Sequence, residues 1–219
     1  MKLKQKAASL LSKTEIGKVI SNQHDRMVLS AAITFVFHLL YALYHGILGI
    51  INLSMWFLAM CAFYGILATM RFSAVLCGYR RDADTERFVM KLSGILLAVL
   101  SFVLGAVIYI SLSQNIAAKH GEIIMITIAA YTFYKITMVI VKAVKQHKDP
   151  SPLLKVVRSI SFAEVAASIL TLQRSMLVSF GSMDEKQIQT MNIMTGTAVC
   201  LFVLMLGISI LIEGIKKGA

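Results

Sequence analysis

The stretch YTFYKITM, residues 131–138, places Lys135 in the middle of an apolar segment that covers residues 123–141. A segment of about 20 apolar residues can cross the hydrocarbon core of a bilayer as one helix. A lysine at that depth is energetically costly, so it is expected to face other helices or a water-filled cavity. The stretch therefore predicts a bundle of membrane helices with polar groups between them.

The rest of the chain has the composition of an integral membrane protein. Of its 219 residues, 58% are hydrophobic and 15% are charged, and the mean hydropathy is +0.76. Six segments have the length and apolarity of a membrane span. They cover residues 27–50, 53–70, 92–112, 123–141, 160–180 and 188–212. We therefore predict an all-α fold, a single bundle of six transmembrane helices.

Lysine and arginine are concentrated on one side of the predicted bundle. Six precede the first span, five surround the loop between spans two and three, five surround the loop between spans four and five, and two follow the last span. In the other loops we find only Lys119 and Lys186. This distribution predicts that both termini are cytoplasmic. Topology and anionic lipid then account for the net charge of +11, and nucleic acid is not expected as a partner.

The predicted spans define the domain organisation. Residues 1–26 form a basic cytoplasmic segment beside the membrane, either a surface helix or a disordered tail. Residues 27–213 form the transmembrane domain, and residues 214–219 form a cytoplasmic tail. We expect a multi-pass protein of a bacterial cytoplasmic membrane, in contact with membrane lipids.

Short sequence matches relate the first three spans to the last three, in the same order. YALYH matches YTFYK, GILATMR matches SILTLQR, and LGAVIYI matches LGISILI, at residues 41–45 and 131–135, 65–71 and 168–174, and 104–110 and 206–212. Three spans per half is an odd number, so the second half enters the membrane from the opposite side. We predict two inverted halves over about 27–114 and 122–213. Chance matching of short apolar strings is the alternative.

Several ionisable and tyrosine residues lie at membrane depth and are the candidate site. The predicted solute-binding residues are Lys135, Arg174, Glu164, His45, Tyr41, Tyr44, Tyr131 and Tyr134. Arg71 is predicted to act in gating, as part of an inner cluster with Lys135, while His45 and Arg174 form an outer one. Structural alternatives stay open: Lys135 and Glu164 as an ion pair that joins two helices, Arg174 as a lipid anchor, and the tyrosines as packing residues.

Bases outnumber acids among these residues, which favours an anionic solute. We therefore predict a transporter or channel in which a small anion passes between the two halves, and in which His45 couples protons to transport. A different class of function is a membrane interaction module, or a substrate-capturing subunit of a larger complex.

Enzymatic activity is not expected, because the sequence has no phosphate-binding glycine loop, nucleophile elbow or HExxH pattern. No cofactor is predicted. Cys61, Cys77 and Cys200 have no spacing typical of a disulfide framework or a zinc site. A stripe of small residues in span three predicts close helix packing, and a homodimer through small-residue faces stays an alternative. The stripe consists of Gly94, Ala98, Ser101 and Gly105.

Five motifs resemble a group of six-helix membrane proteins of Gram-positive gut bacteria that have no assigned function. The motifs are LLYALYHGILG, SMWF, MRF, AAYTFYKITM and ILTLQRSML, and the resemblance covers most of residues 30–180. It implies six spans and indicates no substrate.

AEVAASILTL, residues 163–172, is similar to the fifth helix in the membrane domain of cation diffusion facilitators. That family has six helices, with metal ligands on the second and fifth. The resemblance implies a metal exporter as a further alternative, with Cys61 and Glu164 as the ligands. However, the family's paired ligands at four-residue spacing are missing, since Phe57 and Ile160 stand in the partner positions.

Overall fold

The computed structural model describes residues 23–80, 82–113, 122–145, 151–180 and 184–216. The described residues form six helices and contain no strand, which confirms the all-helical prediction. The helices are α1 Gln23–Asn52, α2 Met55–Arg80, α3 Ala83–Ser113, α4 Glu122–Lys145, α5 Pro152–Phe180 and α6 Glu185–Lys216. Each predicted span coincides with one helix. Most of the basic N-terminal segment and the end of the C-terminal tail lie outside the described residues.

Five helices, α1 to α4 and α6, are long and apolar enough to cross a membrane. The helix α5 is equally long but more polar, because it carries Arg158, Glu164, Gln173 and Arg174 among its apolar residues. It packs against α2, α3, α4 and α6. Polar side chains on α5 can therefore face protein rather than lipid. The prediction of six apolar spans is confirmed for five of them.

The most extensive packing joins α1 to α2 and α3 to α6. A tight turn connects the first pair: the Ser54 amide donates a hydrogen bond of 3.2 Å to the Gly49 carbonyl. This bond spans the end of α1 and requires Leu53 between them to adopt a left-handed conformation, with φ of 47°. The face of α1 that is buried consists of small residues and one histidine, namely Ala31, His38, Ala42 and Gly49.

The α3–α6 contact is antiparallel and close. A Cβ atom on Gly207 would lie only 2.9 Å from the Gly94 carbonyl oxygen and 3.0 Å from the Ala98 amide nitrogen. Farther along, the Ser101 hydroxyl donates a hydrogen bond of 2.9 Å to the Cys200 carbonyl. The predicted small-residue stripe therefore packs within the chain. The stripe is covered by α6, so it is not an argument for a homodimer. The homodimer stays a prediction.

The apolar core lies where α2, α3, α5 and α6 meet. Its fully buried side chains include Leu67, Met70, Leu97, Ile160 and Val203. The helices α1 and α4 lie outside this core, packed on α2 and α5 respectively. The core thus holds α2 and α5 in place, while α1 and α4 add side chains to the region beside them.

Candidate functional site

Glu164 of α5 binds basic side chains from two other helices. One carboxylate oxygen, Oε1, lies 2.9 Å from the Lys135 ammonium of α4. The other, Oε2, lies 3.1 Å from Nη2 of Arg71 on α2. Oε2 therefore accepts a charge-assisted hydrogen bond from Arg71, and Oε1 forms an ion pair with Lys135. The contact joins α2, α4 and α5 at one carboxylate.

His38 of α1 is a third base beside the same carboxylate. Its Nε2 atom lies 3.6 Å from Oε1 of Glu164, which is an ionic contact only when the imidazole is protonated. The side chain is buried, and its ring packs against the ring of Tyr64 with 6.1 Å between centroids. We call His38, Arg71, Lys135 and Glu164 the ion cluster. Four of the six helices contribute to it.

Two serines on α5 extend the hydrogen bonding of the ion cluster. Arg71 Nη2 donates to the Ser161 hydroxyl at 3.1 Å, and Lys135 donates to the Ser168 hydroxyl at 3.0 Å. Ser161 and Ser168 flank Glu164 by three and four residues, so the three side chains share a helix face. Both hydroxyls donate their own protons to carbonyls of α5. Their lone pairs are thereby left to accept from the cations.

The ion cluster carries more positive than negative charge in a region with little exposure. The side chains of His38 and Arg71 are each 7% exposed, that of Glu164 17% and that of Lys135 23%. Two nitrogens, Arg71 Nε and His38 Nδ1, are buried and find no hydrogen-bond partner among the described residues. Unpaired buried polar atoms are unfavourable. The geometry is therefore suited to accept additional negative or polar groups.

His45, one of the predicted solute-binding residues, lies in an aromatic layer beside the ion cluster. Its Nδ1 atom is 2.8 Å from the Tyr41 carbonyl one turn earlier. Its ring packs against Tyr44, Phe57 and Tyr64, with the Tyr64 centroid at 5.5 Å. The Tyr64 ring contacts the rings of both His38 and His45, and so connects the aromatic layer to the ion cluster.

The four predicted tyrosines lie on the outer surface of the described bundle. Tyr41, Tyr44, Tyr131 and Tyr134 are between 51% and 64% exposed. Their spacing places the two tyrosines of α1 on one helix face, and likewise the two tyrosines of α4. Because small residues of α1 occupy its contact with α2, the tyrosines of α1 face outward. On α4, the buried side chains are those of Met125 and Thr132 instead. Of the four, Tyr41 also contacts the ring of Tyr64, with 5.3 Å between the ring centroids.

Arg174, the other base predicted at an outer cluster, has different partners from those of His45. Its Nη2 atom donates a hydrogen bond of 2.6 Å to the Ser111 carbonyl of α3, and its buried Nε has no partner among the described residues. The neighbouring Gln173 donates to Thr195 of α6 at 2.8 Å. The side chains around Arg174 thus join α5 to α3 and α6. The predicted inner residues meet at Glu164, whereas His45 and Arg174 make separate contacts.

The alternative metal ligands were Cys61 and Glu164. Cys61 lies against α1, where its sulfur would be 3.1 Å from a Cβ on Gly46. Glu164 is already bound by Arg71 and Lys135, whose positive charges disfavour a metal cation. Within the part of the chain that the structure describes, no group of three or more His, Cys, Asp or Glu residues could hold a metal.

Sequence reasoning named Lys135, Glu164 and Arg71 but did not select His38 or Tyr64. His38 lies seven residues before His45, a spacing that puts both on nearly the same helix face. That periodicity was a usable signal for His38. Tyr64 has no comparable signal, because its position between two histidines depends on how α1 packs against α2.

Comparison of the chain with models of known protein families, with curated proteins and with solved structures finds no match. The fold and the ion cluster therefore carry the functional argument.

Proposed function

We propose that the chain is a membrane transporter or channel for a small anionic solute, and that the ion cluster is the solute site in a closed state. The observation that carries the proposal is the charge balance at Glu164. Arg71 and Lys135 contribute two positive charges and Glu164 one negative charge, before any protonation of His38. Two cations beside one carboxylate attract an anion to this region and repel a cation.

The unpartnered atoms of the ion cluster support an anionic ligand. Arg71 Nε carries a proton that no described residue accepts. His38 faces Glu164 with Nε2, so its Nδ1 is a further unpaired atom, and it becomes a donor when the ring is protonated. An anion bound beside Arg71 could accept from these donors.

In this proposal α1–α3 and α4–α6 are two inverted halves, and the solute passes between them. The repeat alignment pairs Lys135 with His45 and Glu164 with Cys61. Lys135 packs on α5 at Glu164, and His45 packs on α2 against Phe57 and Tyr64, the residues that flank Cys61. The two halves thus place their basic residue on corresponding surfaces. Only the second half has the carboxylate.

The α3–α6 contact has the register that an inverted repeat would give it. The same alignment pairs Gly94 with Gly196. Gly94 packs against Leu211 of α6, and Gly196 packs against Ile108 of α3. The alignment pairs Leu211 with the residue next to Ile108, so the two contacts correspond to within one residue. In this proposal α5 also crosses the membrane, which brings the number of spans to six. Both termini are cytoplasmic, and the protein resides in a bacterial cytoplasmic membrane.

Anion flux from proteoliposomes tests the proposal. Vesicles loaded with nitrate and containing the purified chain should release it faster than protein-free vesicles at equal pH on both sides. Lys135→Ala removes a charge-assisted hydrogen bond worth about 1.5–3 kcal/mol, so flux should fall more than about tenfold. Lys142→Ala is the matched control, because Lys142 is exposed two turns later on the same helix. Flux equal to that of protein-free vesicles would reject transport of nitrate.

Arg174→Ala tests the second basic position. If the solute passes Arg174 on its way between the halves, the flux should fall several-fold while the bundle stays folded. An unchanged flux would limit Arg174 to its contact with the Ser111 carbonyl.

A membrane interaction subunit is the second candidate, and the exposed tyrosines favour it. Tyr44, Tyr131 and Tyr134 place hydroxyl groups at membrane depth on the outer surface of α1 and α4, where lipid tails offer no hydrogen bonds. A partner helix that covered this surface could accept them. Co-purification of a stoichiometric membrane partner, lost when Tyr131 and Tyr134 are both changed to Phe, would favour this function over transport.

A further inference from the structure

The contacts of Glu164 resemble those that a solute anion would make. Lys135 binds Oε1 and Arg71 binds Oε2, so the two cations are spaced to hold the two oxygens of one planar group. A carboxylate or nitrate ion has the same two-oxygen geometry. Glu164 therefore occupies the place that such an anion needs.

We infer that Glu164 is a tethered counter-ion that a monovalent two-oxygen anion replaces, and that one proton bound by Glu164 accompanies each anion. This inference rests on the proposed transport function and specifies its coupling. With Glu164 ionised, Arg71 and Lys135 leave the cluster with one unit of positive charge. With Glu164 protonated and one anion bound, the net charge is the same. The exchange therefore adds no further buried charge, whereas an anion without a proton would share the cations with a carboxylate it repels.

The charged and titratable groups that face Glu164 come from three other helices. Facing it are His38 from α1, Arg71 and Tyr64 from α2, and Lys135 from α4. The charged groups that α5 presents towards α3 and α6 lie elsewhere along it, with Arg174 at the Ser111 carbonyl and Lys155 at Glu213. Among these groups, the imidazole of His38 is the one that can take up a proton at one ring nitrogen and release another from the second.

His38 is placed to exchange this proton with the carboxylate. Its Nε2 lies 3.6 Å from Oε1 of Glu164. A proton from solution first binds the neutral imidazole. The anion then binds Lys135 and Arg71 as the carboxylate leaves them, and the imidazolium transfers its Nε2 proton to Oε1 of the released carboxylate. Glu164 becomes neutral, His38 returns to its neutral form with the proton on Nδ1, and reversal of these steps releases both ions on the other side.

The test measures proton-driven nitrate accumulation by proteoliposomes that contain the full chain. Nitrate is a suitable probe because its acid is strong, so it does not cross the bilayer as a neutral molecule. The membrane voltage is held at zero with potassium and valinomycin. With one proton per nitrate, a gradient of one pH unit, acidic outside, should support accumulation of about tenfold. A change of voltage at fixed pH should leave that ratio unchanged, since one proton with one nitrate moves no net charge.

Glu164→Gln separates coupling from transport. The variant keeps the shape of the side chain and cannot change its protonation, so a pH gradient should no longer concentrate nitrate, and any nitrate that still crosses the bilayer does so without a proton. Glu213→Gln is the matched control, because Glu213 pairs with Lys155 away from the ion cluster. It should accumulate nitrate as the unmodified chain does. If Glu164→Gln does not fold, the voltage and pH measurements on the unmodified chain decide the question alone.

The outcomes distinguish this inference from the proposed function. If nitrate flows down its own gradient but a pH gradient does not change its flux, proton coupling is wrong and the proposed anion transport is retained. Proton-driven accumulation that persists in Glu164→Gln overturns the role of Glu164. Flux no faster than in protein-free vesicles overturns the proposed function and this inference together.

Discussion

Replacing Glu164 by glutamine should destabilise the bundle more than any other single charge removal among its described ion pairs. The substitution preserves side-chain volume and removes the negative charge that pairs with both Arg71 and Lys135, which are 7% and 23% exposed. Loss of one partner from a buried ion pair costs roughly 3–5 kcal/mol. Because Lys135 is partly exposed, we expect a loss near the lower end, about 3 kcal/mol.

The assay is reversible unfolding of the purified chain in detergent micelles, in a zwitterionic buffer without added carboxylate, nitrate or halide, so that no small anion replaces the Glu164 carboxylate. Glu213→Gln removes the carboxylate from another lysine–glutamate pair, in which both side chains are about one third exposed. That variant should lose no more than about 1 kcal/mol. Comparable losses for Glu164→Gln and Glu213→Gln would refute the energetic role given to the ion cluster.

A double-mutant cycle tests whether Lys135 and Glu164 stabilise the fold as a pair. Lys135→Met alone leaves Glu164 with Arg71, and in the Glu164→Gln background it removes a cation that no longer has its carboxylate. We expect the two changes together to destabilise less than the sum of the single changes, by at least about 1 kcal/mol. Strict additivity would mean that the 2.9 Å contact between Lys135 and Glu164 contributes nothing to folding.

Three further changes test local features of the fold in the same unfolding assay. Leu53→Gly should stabilise the chain by about 1 kcal/mol, because Leu53 holds a left-handed backbone that glycine adopts without strain; a loss of stability would contradict this. Gly207→Ala should cost about 1–3 kcal/mol, since the new Cβ would meet the backbone of α3. The control is Gly65→Ala, which should be neutral or stabilising because no atom lies within 4 Å of its Cβ. Equal effects of the two substitutions would contradict the close α3–α6 contact. Ser168→Ala should cost about 1 kcal/mol by removing an acceptor from Lys135, and no change would indicate that this hydrogen bond contributes nothing.

Apolar length was sufficient to predict the five described helices that are long and apolar enough to cross a membrane. The helix α5 was predicted from the same signal, yet it is distinguished by its polar residues and by the four helices that it packs against. Its sequence contains Glu164 between Ser161 and Ser168, a polar stripe at helical spacing. Such a stripe indicates that a helix faces protein, but it does not identify which helices supply the partners.

The sequence indicated which residues of α1 and α4 share a face, but not where each face points. Tyr41 and Tyr44 were predicted to face inward because tyrosine is polar. In the structure, close packing of α1 on α2 depends on small side chains such as Ala42, and the tyrosines take the outer face. Packing distance between helices, which a single sequence does not specify, decided between the two orientations.

Lys135 and Glu164 could be paired from sequence because both were expected in the inner half of the membrane. The role of His38 could not be derived in the same way. Its contact with Glu164 needs α1 to approach α5 beside α2, which is a property of the whole bundle. The sequence-based prediction therefore found the charges of the site but not their complete arrangement.

The central claim, that a two-oxygen anion binds where the Glu164 carboxylate now lies, is tested most directly by diffraction from Glu164→Gln crystals grown with nitrate. We predict planar difference density for one nitrate, with one oxygen at the Lys135 ammonium and another at the Arg71 guanidinium, and no such density in crystals of the unmodified chain grown at neutral pH. Crystals of the variant that bind nitrate only at the protein surface would contradict the claim.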